Sequence, residues 1–186
     1  MAVAYDKYYQ TENLFGEPYS VLMDFFSEYP KNGKVLDLGC GQGRDSIPLA
    51  RLGFAVTGID NSKVGIEQMN QIAKTENLKL NGIIADVFKF DDFSDYDYVL
   101  LDSMFHFAKK DILKETGFIK NIISKIRKGC LLIICIQDTG KKIKILKETL
   151  NFGKNIEQIQ DKKFKYIFEE SGHKSESDYR MIVVKK

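Results

Sequence analysis

The ten residues from Val35 to Arg44, VLDLGCGQGR, join a short apolar run to three glycines at alternate positions. An apolar run of this length is typical of a buried β-strand. Glycine adopts left-handed or crowded backbone geometry without a side-chain clash. The stretch therefore predicts a strand that turns sharply into a helix, with its backbone close to a nucleotide-like ligand.

The spacing of the glycines narrows the kind of ligand. Dinucleotide-binding loops have the pattern Gly-x-Gly-x-x-Gly, whose last glycine lets the helix pack closely on the strand. Here the glycines are Gly39, Gly41 and Gly43, and Arg44 stands where that last glycine should fall. The pattern argues against a nicotinamide-dependent oxidoreductase, which stays open as an alternative.

Length and composition fit one ordinary globular domain, expected to span residues 1–186. The chain has 186 residues, 44% apolar and 29% charged, within the usual range for a single domain. The net charge is only +2. Although the second half of the chain is more basic than the first, this low overall charge argues against nucleic acid as a partner.

No apolar stretch approaches the roughly 18 residues of a membrane span. Residues 1–10 mix tyrosines with charges, unlike a signal peptide, so we expect a cytoplasmic protein without membrane contact.

The cysteines predict neither disulfides nor a metal site. Cys40, Cys130 and Cys135 form an odd set with no Cys-x-x-Cys pair. We expect them to be reduced and buried, with Cys40 serving as a small loop residue. A reactive thiol at Cys40 is the alternative, because cysteine reactivity depends on electropositive surroundings.

Apolar runs of strand length alternate with segments of helical spacing, which predicts an α/β fold with a doubly wound, mostly parallel sheet. Such sheets are covered on both faces, so their strands are continuously apolar. The helical segments begin near Pro18, Ser62, Asp111 and Lys141. Phe164–Phe168 and Tyr179–Val184 predict a final hairpin with a polar loop of about ten residues. The predicted parallel strands are Val35–Leu38, Ala55–Ile59, Gly82–Ala85, Tyr98–Leu101 and Leu131–Ile136.

Three of these predicted strands lead into a carboxylate. Asp60 ends the second, Asp86 the third and Asp102 the fourth. In open α/β sheets, ligands bind at the carboxyl ends of the strands, and an acid after the second strand can accept both ribose hydroxyls. The alternative for Asp60 is a helix cap, but Ser62 already supplies one. The sequence therefore predicts a nucleoside-binding site at the carboxyl ends of the strands, with Asn61 beside Asp60.

In this ordered set of motifs the chain resembles the class I S-adenosylmethionine-dependent methyltransferases over residues 18–137. The resemblance implies a Rossmann-like, three-layer αβα fold with seven strands, the last antiparallel. It also implies that Asp60 binds the ribose, that Asp86 and Val87 contact the adenine, and that Gly39, Asp102 and Ser103 hold the methionine portion. The cofactor-binding residues expected from the motifs and the resemblance are Asp37, Gly39, Cys40, Gly41, Gly43, Arg44, Asp60, Asn61, Asp86, Val87, Asp102 and Ser103.

Within that group, the segments GQGRDS (41–46) and LARLGF (49–54) resemble the tellurite-resistance methyltransferases. The resemblance implies a stand-alone enzyme that methylates a small molecule or a metalloid oxyanion. We expect a monomer or a homodimer, and the sequence leaves the choice between them open. In this interpretation residues 18–137 form the cofactor-binding core and 138–186 a helix and hairpin. An RNA or protein methyltransferase is the alternative, although Asp102–Phe105 lacks the prolines typical of base-amine methylation. A non-catalytic S-adenosylmethionine sensor also stays open.

Two further features concern the methyl acceptor. His106 follows the fourth strand, and histidine is the side chain that most often transfers protons in enzymes, so it is the candidate general base for an acceptor that must lose a proton. A histidine held in the loop without proton transfer is the alternative. The aromatic segment 1–17 could fold over the pocket as a lid, and its rings would stabilise a sulfonium cation. The candidate lid and substrate residues are Tyr5, Tyr9 and Tyr19. Plain packing of these rings on the domain surface is equally compatible with the sequence.

Overall fold

The apolar run before the glycines forms a parallel strand in the computed structural model of the chain. The structure describes residues 6–7, 9–11, 14, 16–153, 156–170 and 173–186, with the backbone alone for 168–170 and 173–174. It divides the chain into two units, Met1–Phe90 and Asp91–Lys186. Each unit is built around its own group of neighbouring strands.

The described residues of the first unit form three strands, three α-helices and one short 3-10 helix. In chain order they are α1 (Ser20–Ser27), β1 (Lys34–Leu38), α2 (Ser46–Arg51), β2 (Ala55–Asp60), α3 (Lys63–Thr75), β3 (Leu80–Ile84) and the 3-10 helix Val87–Lys89.

The three strands of the first unit pair in parallel in the order β3-β2-β1. Val35, Leu36 and Leu38 of β1 are fully buried, as the continuous apolar pattern predicts. Helix α1 buries its apolar stripe, including Phe26, whose ring meets Phe54 edge to face at 5.3 Å. Helix α3 begins at Ser62, whose hydroxyl accepts a hydrogen bond from the Gly65 amide at 3.1 Å. The predicted cap is thus confirmed.

Met69 of α3 fills space that glycines leave open. A Cβ atom on Gly43 would lie 2.7 Å from Met69 Cγ, and one on Gly82 would lie 2.5 Å from Met69 Cε. A Cβ on Gly58 would lie 2.9 Å from the same methyl carbon. These distances are shorter than side chains tolerate, so Gly43 serves the packing of α3 on the strands as well as the turn of the loop.

The second unit contains four strands and two α-helices among its described residues. In chain order they are β4 (Tyr98–Asp102), α4 (Ile112–Lys125), β5 (Leu131–Gln137), α5 (Lys141–Leu150), β6 (Glu157–Glu170) and β7 (His173–Lys185).

The strands of the second unit follow the order β4-β5-β7-β6. Strands β4 and β5 are parallel, whereas β7 runs antiparallel to both β5 and β6. The predicted final hairpin exists but is much longer than expected, because its strands reach Glu170 and start again at His173. The ten-residue polar loop was therefore wrong. Charged residues fill most of the extra strand, so it lacks the apolar pattern by which strands are recognised.

Helix lengths and composition also bear on membranes. None of the helices formed by the described residues is long and apolar enough to cross a bilayer.

Candidate functional site

The glycine loop has the left-handed geometry that the sequence predicts. Gly39, Gly41 and Gly43 have φ angles of 83°, 54° and 87°. The loop is tied to the end of β2, because the amides of Gly39 and Cys40 both donate to the Ile59 carbonyl, at 2.7 and 3.2 Å. A side chain at Gly41 would be strained by its φ angle and would also meet the hydroxyl of Tyr9 at 2.5 Å.

Asp60 fastens this loop to the start of α3. One carboxylate oxygen accepts a hydrogen bond from the Gly41 amide at 3.0 Å, and the other accepts one from the Ser62 amide at 2.8 Å. The side chain is half-buried at the carboxyl end of β2, with the exposed Asn61 beside it. Each carboxylate oxygen can accept a second hydrogen bond. Asp60 can therefore hold the loop and still accept the two hydroxyls of a ribose.

A buried acidic cluster lies behind the loop. Asp37, 2% exposed, accepts a hydrogen bond from the Ser46 hydroxyl at 2.6 Å. Burial, together with the charge of the neighbouring Asp45, raises the pKa of Asp37 to about 7. Asp45 is itself buried and forms a salt bridge with Arg44, Oδ2 to Nη2, at 3.0 Å. Asp37 thus supports the loop from the interior of the first unit.

Arg44 connects that cluster to Tyr19. The Arg44 guanidinium lies over the Tyr19 ring, 4.7 Å from its centroid, a cation–π arrangement. Tyr19 is 5% exposed and directly precedes α1. In this structure the two side chains pack on each other, and Arg44 also pairs with Asp45. Their roles in cofactor and substrate binding remain predictions.

Cys40 is buried in the loop, as are Cys130 and Cys135, and all three are free thiols. Burial raises the pKa of the Cys40 thiol well above its ordinary value, and the nearby carboxylates of Asp37 and Asp60 raise it further. The thiolate is the reactive form of cysteine. Cys40 therefore behaves as a packing residue, in agreement with the simpler expectation.

Asp86 and Val87 follow β3 and begin the 3-10 helix. Asp86 caps that helix by accepting a hydrogen bond from the Phe88 amide at 3.0 Å, while Lys89 Nζ lies 3.6 Å from its other oxygen. The Asp86 side chain is exposed and Val87 is buried. Both carboxylate oxygens of Asp86 thus have partners within the chain, and its contact with an adenine remains a prediction.

The described part of the N-terminal segment, residues 6–7, 9–11 and 14, is called the strap here. Tyr9 is 5% exposed, and its ring lies against both Gly41 and Gly65. Asp6 accepts a hydrogen bond from the Ser62 hydroxyl at 2.6 Å. The strap therefore covers the glycine loop and the first turn of α3. Tyr5 lies outside the described residues, so its predicted lid role stays open.

Two glutamines hold the strap in place. The Gln42 amide nitrogen donates to the carbonyl of Thr11 at 2.8 Å, and the Gln42 side-chain oxygen accepts from the Leu14 amide at 3.1 Å. Gln68 of α3 donates to the Tyr9 carbonyl at 2.9 Å and accepts from Gln42 at 2.8 Å. Sequence reasoning missed both glutamines. Their partners lie between 26 and 59 residues away along the chain, and no local pattern signals such contacts.

In the second unit, Asp102 and Ser103 lie at the carboxyl end of β4. Asp102 is 8% exposed and accepts a hydrogen bond from the Ser103 hydroxyl at 2.8 Å. Ser103 has a φ angle of 56°, a rare conformation for a residue with a side chain. Its amide donates to the Cys135 carbonyl of β5 at 3.0 Å, which holds the strained turn.

His106 is exposed on the turn that follows, and a buried acid fixes that turn. Glu115 of α4 is 5% exposed. Its two carboxylate oxygens accept hydrogen bonds from the amides of His106, at 3.3 Å, and Phe107, at 2.6 Å. The structure thus presents His106 to solvent near Asp102 in the chain. Sequence reasoning missed Glu115, and its place in the first turn of an otherwise apolar helix face is the signal that could have found it.

The structure therefore brings the predicted residues together in two groups. The glycine loop, Asp60, Asn61 and Tyr9 meet in the first unit, with Asp37 and Arg44 behind the loop. Asp102, Ser103 and His106 follow one another at the end of β4 in the second unit. Asp86 lies apart, at the carboxyl end of β3.

Comparison with known proteins identifies a matching family and relatives of similar sequence. Residues 3–175 match the family described as tellurite resistance protein TehB. A probable S-adenosyl-L-methionine-dependent methyltransferase TehB from Haemophilus influenzae is 35% identical over 89 residues, 48% of this chain and 30% of the relative. A ubiquinone biosynthesis O-methyltransferase from Rickettsia prowazekii is 33% identical over 110 residues, 59% of this chain and 42% of the relative. The chain thus spans less than half the length of these curated relatives.

Solved structures show the same fold. The crystal structure of TehB from Haemophilus influenzae superposes with a TM-score of 0.72 at 22% identity, covering 98% of this chain and 65% of that one. A magnesium protoporphyrin IX methyltransferase from Synechocystis, solved with bound S-adenosylmethionine, gives a TM-score of 0.64 at 18% identity, covering 98% and 79%. The predicted Rossmann-like fold, a mixed sheet of seven strands with the last antiparallel, is confirmed. By the match over most of its length, the chain belongs to the TehB family of tellurite resistance proteins.

Proposed function

We propose that this chain is an S-adenosylmethionine-dependent methyltransferase that acts on a small-molecule acceptor, with residues 18–137 forming its cofactor-binding core. Membership of the TehB family supports the proposal, as does the likeness to relatives described as methyltransferases. The observation that carries it is Asp60, whose carboxylate lies at the end of β2 and is oriented by the amides of Gly41 and Ser62.

The residues of the first unit fit the nucleoside of this cofactor. A ribose presents two adjacent hydroxyl donors, and Asp60 has one acceptor position left on each oxygen. The loop beside it turns through backbone at positive φ, which brings the Gly41 amide onto the Asp60 carboxylate. Asn61 would line the same pocket, and Asp86 with Val87 would contact the adenine.

The remaining roles follow from the resemblance. Gly39, Asp102 and Ser103 would hold the methionine portion, while Asp37, Cys40, Gly43 and Arg44 would shape the loop. When bound, the cofactor supplies an electrophilic methyl group and a neutral thioether as leaving group. The chain itself holds the acceptor in line with that methyl group, and positioning of this kind is worth up to about 7 to 11 kcal/mol in favourable model reactions.

His106 would take a proton from an acceptor that must lose one. Its side chain is exposed at the end of the β4 turn, and its backbone amide is fixed by Glu115. An acceptor that is already a nucleophile, such as a thiolate, needs no such base. Loss of activity in His106→Ala for protic acceptors alone would assign the base.

Calorimetric titration with S-adenosylhomocysteine and, separately, with NAD tests the proposal. We expect saturable binding of S-adenosylhomocysteine and none of NAD. Replacing Asp60 by Ala removes a charged acceptor and should weaken binding by about 2 to 3 kcal/mol. Asp24→Ala, at an exposed position of α1, is the matched control. Failure of the unaltered protein to bind S-adenosylhomocysteine would refute the proposal.

The substrate class is tested by following methyl transfer to thiols, phenols, amines, carboxylic acids and metalloid oxyanions. We expect turnover with a member of this small-molecule panel. Methylation found only with bulk RNA or with protein would instead favour the alternative classes of methyltransferase. Cofactor binding without turnover of any acceptor would favour a sensor.

A further inference from the structure

The outer edge of the sheet in the first unit is occupied at its midpoint by a side chain. Strand β3 stands at the end of the order β3-β2-β1, and no strand formed by the described residues pairs with its other side. The Asn70 carboxamide of α3 donates a hydrogen bond to the Gly82 carbonyl at 3.0 Å and accepts one from the Gly82 backbone amide at 2.7 Å. This pair of bonds between Asn70 and Gly82 is called the edge clamp here.

The edge clamp lies on the side of β3 that faces away from β2. The Ala85 amide donates to the Asp60 carbonyl of β2 at 2.8 Å, so the backbone groups of Ala85 face β2. Along a strand, successive residues direct their backbone groups to alternate sides. The N–H and C=O groups of the even-numbered residues Leu80, Gly82 and Ile84 therefore point outward. The Asn70 carboxamide thus occupies the place that a peptide group of a further strand would take.

The identities of both residues suit the edge clamp. A Cβ atom on Gly82 would lie 3.0 Å from Asn70 Oδ1 and 2.5 Å from Met69 Cε, so α3 reaches the edge only because Gly82 has no side chain. The carboxamide of Asn70 carries an N–H donor and a C=O acceptor, as a peptide group does. The half-buried Asn70 makes both bonds to one residue. The pair therefore replaces, at one position, the pairing with another strand.

The rest of the edge has the features of a strand that pairs. Residues 80–84, LNGII, carry no charge, and Ile83 and Ile84 are 40% and 52% exposed. An uncharged edge strand with exposed apolar side chains is a template for pairing with another chain. If two copies meet antiparallel with Gly82 opposite Gly82, then Leu80 lies opposite Ile84, and each of these pairs exchanges both of its hydrogen bonds. The edge is therefore complementary to a second copy of this chain.

We propose that the edge clamp keeps the chain from pairing with a second copy of itself along β3. The Asn70 carboxamide satisfies the two groups of Gly82 through which the copies would meet, so both bonds must break before the pairing can form. Without the edge clamp, two copies join antiparallel about Gly82 and the sheets of their first units become continuous. The inference goes beyond the proposed function, since neither Asn70 nor Gly82 belongs to the proposed cofactor site.

The test removes the edge clamp and measures association. Asn70→Ala deletes both bonds, and Gln71→Ala, at the next and exposed position of α3, is the matched control. Sedimentation velocity of the full chain over a range of protein concentrations measures association. Backbone-amide hydrogen exchange, followed by NMR spectroscopy, locates it, because the Leu80 and Ile84 amides point outward. Circular dichroism and urea denaturation show whether each variant folds.

In the unaltered chain and in Gln71→Ala, the Gly82 amide should exchange about 10-fold more slowly than the Leu80 and Ile84 amides, since the Asn70 side chain accepts from Gly82 alone. Dilute Asn70→Ala should lose this protection. At higher concentrations Asn70→Ala should sediment as a dimer in which all three amides are protected, whereas the unaltered chain and Gln71→Ala should not change. Adding Ile84→Lys to Asn70→Ala should abolish this dimer, because a charged side chain on an edge strand opposes pairing.

Three results would overturn the inference. The first is a Gly82 amide that exchanges as fast as the Leu80 amide in the unaltered chain, which decides the matter even if Asn70→Ala does not fold. The second is a folded Asn70→Ala that sediments like Gln71→Ala at every concentration. The third is association of Asn70→Ala that leaves the Leu80 and Ile84 amides unprotected or persists with Ile84→Lys. Binding of S-adenosylhomocysteine tests the proposed function separately.

Discussion

The glycine loop of the first unit and the turn after β4 in the second are each fastened by one carboxylate that accepts two backbone amides. Asp60 holds Gly41 and Ser62, and Glu115 holds His106 and Phe107. Asp60 is half-buried and stands at the end of a strand, whereas Glu115 is 5% exposed and reaches the turn from a helix. Asp60 is therefore placed to bind a ligand as well, while Glu115 serves the fold.

The comparison teaches that the same local chemistry can leave a carboxylate accessible to a ligand in one place and commit it to the architecture in the other. What separates the two is how much of the carboxylate remains open to solvent. Removing Asp60 should mainly weaken ligand binding, and removing Glu115 should mainly weaken folding. Variants of both regions test whether the two carboxylates differ in this way.

The largest change in stability is expected from the titration of Asp37, the buried acid behind the glycine loop. Burial and Asp45 raise its pKa from the ordinary 3.8 to about 7, so the folded state keeps the proton where the unfolded state has lost it. The stability that this provides is complete below about pH 4 and is lost as the pH rises through about 7. The free energy of unfolding should fall by about 2 to 4 kcal/mol over that range.

Asp37→Asn keeps a neutral side chain of the same shape and should remove most of this pH dependence. Urea denaturation at pH 5 and pH 8 measures it, with the exposed Asp24→Asn as control. If the free energy of unfolding changed between pH 5 and pH 8 by the same amount in Asp37→Asn and in the unaltered chain, the raised pKa of Asp37 would not be the source of the pH dependence.

The second largest change in stability is expected when Glu115 is replaced. Glu115→Ala leaves two amides of the β4 turn without their charged acceptor, one of them in a buried position. The free energy of unfolding should fall by about 2 to 3 kcal/mol, since a buried donor left unpaired costs about 1 to 3 kcal/mol. Chemical denaturation of Glu115→Ala checks this.

Leu113→Ala is the matched control in the same helix turn, because Leu113 is 85% exposed and should change stability little. Asp60→Ala should lose less stability than Glu115→Ala while losing more affinity for S-adenosylhomocysteine. If the order of the two variants were reversed in either measurement, the distinction between the two carboxylates would fail.

The smallest effect concerns the strap over the first loop. Gln42→Ala removes the side-chain bonds to Thr11 and Leu14, each worth about 1 kcal/mol. We expect faster hydrogen exchange at the Leu14 amide and faster proteolysis near the N-terminus, with the global stability nearly unchanged. Gln71→Ala, exposed on α3, should show neither change. Unaltered exchange at Leu14 in Gln42→Ala would show that the strap is held by other contacts.

The sequence predicts the strands and the geometry of the glycine loop well because their signals are local. The continuous apolar runs place β1, β2, β4 and β5 within a residue or so of their observed bounds. The alternate glycines predict the positive φ angles of the loop, and Ser62 predicts the start of α3. Each of these signals depends on neighbouring residues alone.

The contacts of the strap and of Glu115 could not be predicted in the same way. Gln68 reaches Tyr9 across 59 residues, and nothing near Gln68 in the chain marks it as a partner. The long hairpin was underestimated because its distal residues, such as Lys165 and Glu176, are charged and exposed.

The central claim is that Asp60 binds the ribose of the cofactor. Calorimetry with S-adenosylhomocysteine and its 2′-deoxy and 3′-deoxy analogues, on the unaltered chain and on Asp60→Ala, tests it most directly. Each missing hydroxyl should weaken binding to the unaltered chain by about 1.5 to 3 kcal/mol, the value of a hydrogen bond to a charged group, and should cost little in Asp60→Ala. Equal losses in the two proteins would contradict the claim.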